Sequence, residues 1–229
     1  MTLLLIATRN DHKVGEIRAI LGDGFLCQSL ADFADAPEVL EDAGTFQGNA
    51  TKKAVELAKW LAERQPGPSN PQQLPAFVLA DDSGLEVDAL DGAPGVHSAR
   101  FAALDTGQAG NSPTIENNAK LLRLLRDVPQ EKRSARFKCI LALTPVLPNA
   151  GATASPVCLA DEFEFQTRLF EGTCEGRIGF EPRGRGGFGY DPLFFPEGYD
   201  QTFGELSEEV KNRLSHRARA LEQLKNALE

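Results

Sequence analysis

The chain has 229 residues, 41% of them hydrophobic and 25% charged, which supports a real core and excludes disorder over most of the sequence. Its formal net charge of −9 argues against a sequence-independent nucleic-acid binder, because cation–phosphate contacts supply most of such a protein's affinity. An acidic chain can still take a polyphosphate where its cations gather locally and a divalent metal joins them.

The opening run MTLLLIATRN is too short to cross a membrane and has neither a basic n-region nor a cleavage pattern. It reads as a buried strand over Leu3 to Thr8. Asn10 or Asp11 caps a helix from about His12 to Leu21, which Gly22 ends. A second helix follows Thr45 and runs to about Arg64, with Ala50, Ala54, Leu57, Ala58 and Leu61 on one face. Residues 65–75 form a Pro-rich loop. Phe77 to Ala80 reads as a strand that ends at Asp81-Asp82-Ser83-Gly84, with Gly84 allowing a sharp turn. Leu85 to Leu90 alternates again, Thr114 to Arg126 is an amphipathic helix, and Ala135 to Pro145 is a strand. Residues 146–161 are loop-like, Glu162 to Cys174 is strand-like, and a last helix covers Ser207 to Leu228. Helices and strands alternate early and strands cluster later, which predicts a mixed α/β fold around a long central sheet. The four cysteines, Cys27, Cys139, Cys158 and Cys174, form no CxxC pair and have no His at zinc-ligand spacing, so they read as reduced thiols of a cytoplasmic protein.

Five segments carry chemistry. Thr8-Arg9-Asn10-Asp11-His12-Lys13 lies where a strand hands over to a helix, a natural anion site, with Lys13 as a point charge. It is not a Walker A loop, and alone it equally describes a capped helix with a surface lysine. Asp81-Asp82 follows a buried strand. Two adjacent desolvated carboxylates repel, and a bound Mg²⁺ relieves that repulsion; one of them can also orient or deprotonate a water. A polar turn is the plainer alternative. Glu41 and Asp42, followed by Thr45 and Asn49, place more carboxylates ahead of a helix that carries Lys52 and Lys53; alone this is an ordinary capping segment. In Arg185-Gly186-Gly187-Phe188-Gly189-Tyr190-Asp191-Pro192 the glycines permit close backbone approach to a flat ligand, on which Phe188 can stack. Lys211 and Ser215 share a helical face, and His216 and Arg217 can donate to the carbonyl oxygens of an oxo-purine, where adenine offers an amino group. The alternative there is a solvated basic helix end.

Taken together, these segments resemble the inosine triphosphate pyrophosphatase family. The resemblance spans nearly the whole chain and rests on ADDSGLEVDAL, GAPGVHSARF, GGFGYDPLF and LSHRARAL, in that order. It implies an elongated α/β fold with a mixed central sheet flanked by helices: one domain over 1–229, in two lobes with the active site in the cleft. It also implies a homodimer in the cytoplasm that uses Mg²⁺ to cleave ITP, dITP and XTP between the α and β phosphates. Carried over residue by residue, Asp82 resembles the general base and a metal contact, and Glu41 and Asp81 resemble metal-site carboxylates. Thr8, Arg9, Asn10, Lys13, Lys53 and Ser83 fall to the triphosphate. Phe188 falls to the base, with Gly189, Tyr190 and Asp191 shaping its pocket and Lys211, His216 and Arg217 reading the oxo-purine. The adjacent acids leave Glu41 and Asp42 as rival metal ligands, and His97 stands where the family commonly has an aromatic. Three other functions remain as alternatives. A non-catalytic nucleotide sensor would not need the carboxylates Glu41, Asp81 and Asp82. A pyrophosphatase of modified pyrimidines would differ in its base preference. A nucleic-acid binder is opposed by the net charge.

Overall fold

The computed structural model describes residues 2–64, 74–107, 109–147 and 162–228. Six strands form one mixed sheet in the order β2-β1-β3-β4-β5-β6. They are β1 (Thr2–Ile6), β2 (Phe25–Ser29), β3 (Phe77–Val87), β4 (Ser134–Pro145), β5 (Arg168–Ile178) and β6 (Phe194–Pro196). β1 runs parallel to β2 and to β3, while β5 and β6 are antiparallel. The helices are α1 (Asp11–Leu21), α2 (Phe46–Glu63), α3 (Thr114–Leu124), α4 (Glu162–Phe165), α5 (Glu208–Leu214) and α6 (His216–Leu228). The chain divides into two compact units, one of Met1–Asp82, Ile140–Phe170 and Leu224–Glu229, the other of Ser83–Cys139 and Glu171–Gln223.

In the first unit β1 contributes the fully buried Leu4, Leu5 and Ile6, as expected of a strand paired on both edges. Asn10 caps α1 by accepting from the backbone N–H of His12 and Lys13, and Gly22, at a φ of 66°, ends it. Thr45 caps α2 by accepting from Gly48 N–H, and Ala50, Ala54, Leu57, Ala58 and Leu61 are buried along one face. The second unit closes around Leu85, Val87, Phe101, Leu121, Phe137, Ile178, Leu193, Phe194 and Phe203. There Phe137 lies 4.7 Å from Phe194 and stacks at 4.8 Å on the His216 imidazole.

Three sequence expectations need correction. Asp81-Asp82-Ser83-Gly84 does not end a strand; it lies inside the eleven-residue β3, with both acids buried. Acids belong at a strand end only if nothing inside can pair with them, and here side chains from α1 and α2 do so. The 162–174 segment opens with a helical turn at Glu162–Phe165 before β5 begins. The last helix is two helices, because Ser215 takes an extended conformation, ends α5 and accepts from Ala218 N–H as the cap of α6. The short strands β2 and β6 were not anticipated. Residues 65–73 and 148–161, most of the two expected loops, lie outside the described residues. The described cysteines are free thiols, and burial pushes Cys174 up to about 11, in keeping with a structural role.

Candidate active site

The first unit gathers one group of charged side chains on α1, α2 and β3. The strand-to-helix junction after β1 presents Lys13, whose ammonium meets Asp81 Oδ1 at 2.5 Å. Lys53, on the buried side of α2, pairs with Glu41 and also donates to the Asp81 carbonyl at 3.1 Å. Its neighbour Lys52 turns outward to Asp42 at 2.6 Å. The rival acids are thereby separated: Glu41 belongs to the inner group and Asp42 to a solvent-exposed pair. Asp82 is 7% exposed, and its Oδ2 accepts from Asn49 Nδ2 at 3.1 Å. The other end of the same amide accepts from Ala43 N–H at 2.9 Å, so Asn49 ties the Glu41-Asp42-Ala43 segment to Asp82. Sequence reading gave Asn49 no role. The available signal was its place four residues after the Thr45 cap, just ahead of the apolar face.

Burial raises the Asp82 carboxyl to about 6, against the opposing charges of Lys13 and Lys53 and with a smaller upward push from Glu41. A carboxylate poised near neutrality can both hold and release a proton under ordinary conditions. The remaining residues of this junction are already engaged. Thr8 Oγ1 accepts from Asn10 N–H, the Asn10 carbonyl oxygen of the side chain serves as the α1 cap, and Arg9 donates to the Ala36 carbonyl at 3.1 Å. Among the described residues no three His, Cys, Asp or Glu side chains form a ready-made metal cage. Mg²⁺ does not require one, since it binds through one or two carboxylates and completes its shell with water and phosphate oxygens. Hard carboxylate donors lying against exchangeable ammonium groups suit such an ion.

The second unit gathers the other group. Asp191 Oδ2 accepts from Phe188 N–H at 2.7 Å and from Lys211 Nζ at 2.6 Å, and that ion pair is almost wholly buried. Lys211 Nζ lies 4.8 Å, and the Arg217 guanidinium 5.8 Å, from the centre of the Phe188 ring. Gly187, at a φ of 71°, is held to glycine twice over: a Cβ there would run into the Asp191 carboxylate. Tyr190 donates from its hydroxyl to the Ser98 carbonyl at 2.9 Å, and burial pushes its phenol above the ordinary range. Arg217, 1% exposed, reaches Ser83 Oγ at 3.5 Å. His216 is buried on Phe137. Phe188, Lys211, Asp191 and Arg217 thus share one site, which the α5–α6 break makes possible by letting Lys211 and Arg217 leave different helices. Asn118 of α3, which donates to the Gly189 carbonyl at 3.2 Å, was absent from the sequence reading.

A mixed α/β sheet with a carboxylate–ammonium group at a strand-to-helix junction and an aromatic flanked by cations defines a nucleotide-handling class of protein. The Ham1 family matches residues 4–227, and the chain belongs to it. It is 42% identical over 229 residues to a dITP/XTP pyrophosphatase of Shouchella clausii, covering 100% of this chain and 98% of that protein. It is 47% identical to a dITP/XTP pyrophosphatase of Geobacter sulfurreducens, covering 100% and 97%. The solved structure of a HAM1 protein from Coxiella burnetii aligns with a TM-score of 0.75 at 33% identity, over 100% of this chain and 98% of that one.

Proposed function

We propose that this protein is a dITP/XTP pyrophosphatase, which hydrolyses non-canonical purine nucleoside triphosphates such as ITP, dITP and XTP to the monophosphate and pyrophosphate and so cleanses the nucleotide pool. The observation that carries the reading is the run of Asp81 and Asp82 inside β3, the first held by Lys13 and the second by Asn49. It puts a buried, nearly neutral-titrating base beside cations suited to phosphate. The full-length relatives bearing that activity support it.

Asp82 accepts a proton from a water as that water's oxygen attacks the α-phosphorus. The bond from phosphorus to the α–β bridging oxygen breaks, and pyrophosphate carries away the electron pair. Asn49 holds the Asp82 carboxylate in place for that transfer. Lys13 and Lys53 exchange carboxylate partners for phosphate oxygens, with Thr8, Arg9, Asn10 and Ser83 lining the triphosphate. Glu41, Asp81 and Asp82 would hold Mg²⁺, which supplies charge neutralisation on the triphosphate and the leaving pyrophosphate. The second unit reads the base: Phe188 stacks on it, Gly189, Tyr190 and Asp191 shape the loop, and Lys211, His216 and Arg217 donate to oxo groups. An amino group in place of an oxo group would face buried donors with no acceptor, which costs more than a lost contact. Neither unit alone carries both groups of residues, so the chain over 1–229 acts as one functional domain. We further propose that it works as a cytoplasmic homodimer; among the described residues no helix is long and apolar enough to span a membrane.

The test is product analysis with dITP and dGTP, with and without Mg²⁺. Pyrophosphate and dIMP, formed far faster than dGMP and only with metal, are the expected result. Orthophosphate with dIDP would overturn the bond assignment. Tight dITP binding without product would favour the sensor.

A further inference from the structure

The helix α3 carries an oddity that the proposed chemistry does not use. Its buried face includes Asn117, Asn118 and Lys120, all less than 9% exposed, in place of apolar residues. Asn117 is explained by its bonds to Ala102 N–H and the Ala99 carbonyl, and Lys120 by its bonds to the Phe101 carbonyl and Asp105. Asn118 is different. Its Nδ2 donates to the Gly189 carbonyl at 3.2 Å, while its Oδ1 is buried and has no hydrogen-bond partner among the described residues. The opposite orientation of the amide would set Oδ1 against the Gly189 carbonyl, acceptor against acceptor, so the orphaned oxygen follows from the bond on the other side. A buried acceptor without a donor lowers stability, and an apolar residue of similar size would avoid it. The amide therefore has a use other than stability.

That use lies in what Gly189 joins. Gly189 takes a φ of 60° between Phe188 and Tyr190. The loop is fixed by Asp191 on the Phe188 N–H, by the Tyr190 hydroxyl on the Ser98 carbonyl, and by Asn118 on the Gly189 carbonyl. The Asn118 bond is made directly to the backbone after the ring-bearing residue, by a side chain from outside the loop. We propose that Asn118 is a positioning residue for base recognition: through the Gly189 carbonyl it sets the angle at which the Phe188 ring meets the purine. The proposal rests on the reading of Phe188 as the base-stacking residue.

The experiment is a double-mutant cycle on the full-length protein with dITP and Mg²⁺, using wild type, Asn118→Leu, Phe188→Ala and the double variant. Asn118→Leu is expected to raise KM for dITP about tenfold with kcat within about threefold, the effect of one lost positioning bond. Its melting temperature should change little, because losing the orphaned oxygen offsets losing the donor to the Gly189 carbonyl; a purely structural Asn would give a fall with KM unchanged. In the Phe188→Ala background the same change should alter KM less than about twofold, since the ring it positions is absent. Additive effects, a loss confined to kcat, or an unchanged KM in Asn118→Leu would each overturn the proposal. If Asn118→Leu does not give a cooperative melt, Asn118→Ala takes its place in the cycle with the same expectations for KM and kcat. An unaltered KM in Phe188→Ala alone would instead overturn the base-stacking reading, a result separable from failure of Asn118.

Discussion

In the first unit one member of each pair is partly open to water: Glu41 is 37% exposed against Lys53, and Lys13 is 17% exposed over a buried Asp81. In the second unit Lys211 and Asp191 are closed off together, at 5% and 4%. The two pairs use the same functional groups to different ends. An ion pair near water is worth little and can trade partners, which suits cations that must accept phosphate. A fully buried pair costs much to open, which suits a frame that has to present Phe188 in one attitude. On the proposed reading the exchangeable group does the chemistry and the closed group keeps the geometry.

The sharpest break in that comparison is Asp82→Asn. It removes the proton acceptor while keeping shape, and turnover of dITP should fall by about 10³-fold or more, with the dissociation constant for dITP changed only a few-fold. Steady-state kinetics beside calorimetric titration read both, and unchanged turnover would end the base assignment. Asp191→Ala attacks the closed group. Removing one partner of a buried pair, and the acceptor of the Phe188 N–H, should cost about 3–5 kcal/mol of stability, read as a lowered denaturation midpoint. An equal substitution in the open group, Glu41→Ala, should barely move that midpoint.

The contrast also explains what was legible in the sequence. Helix caps are local, so Asn10, Thr45 and Gly22 could be read from neighbours alone, as could the apolar face of α2. The motif words contain Asp81, Asp82 and Phe188, each with its own glycines and acids, while Lys211 stands just ahead of LSHRARAL. What was missed depends on partners far along the chain. Whether Asp81 and Asp82 end a strand or sit inside one is decided by Lys13, 68 residues away, and by Asn49, 33 residues away. Asn118 meets Gly189 across 71 residues. The break at Ser215 was local and still misread, since Ser215 as an α6 cap looks like one more residue on the Lys211 face until its extended backbone is seen.

The adjacent acids Glu41 and Asp42 offer a finer test within the open group. Glu41 pairs inward with Lys53 and acts on Asp82, while Asp42 pairs with Lys52 in solvent. Glu41→Gln should therefore lower kcat/KM for dITP by about 10- to 100-fold and raise the Mg²⁺ concentration needed for half-maximal rate. Asp42→Asn should leave both within about twofold. Equal losses in the two variants would mean that the metal contact is shared.

The smallest expected effect is on pH dependence, and its sign separates burial from pairing. Asp82 stands at about 6 because burial outweighs the nearby lysines. Its basic form is lost as pH falls through 6, so turnover should decline about fourfold between pH 7.5 and 5.5. Stability runs the other way. In the unfolded chain the carboxyl returns to its ordinary 3.8, so above pH 6 the folded protein carries the cost of a buried carboxylate, and that cost is relieved as pH drops from 6 towards 3.8. Asp82→Asn should thus stabilise the metal-free protein at pH 8 by about 2–3 kcal/mol. The gain should shrink steadily below pH 6, followed by denaturation midpoints at each pH. A gain that grew on acidification would mean that the lysines, not burial, govern Asp82, and the open group would then be as tightly paired as the closed one.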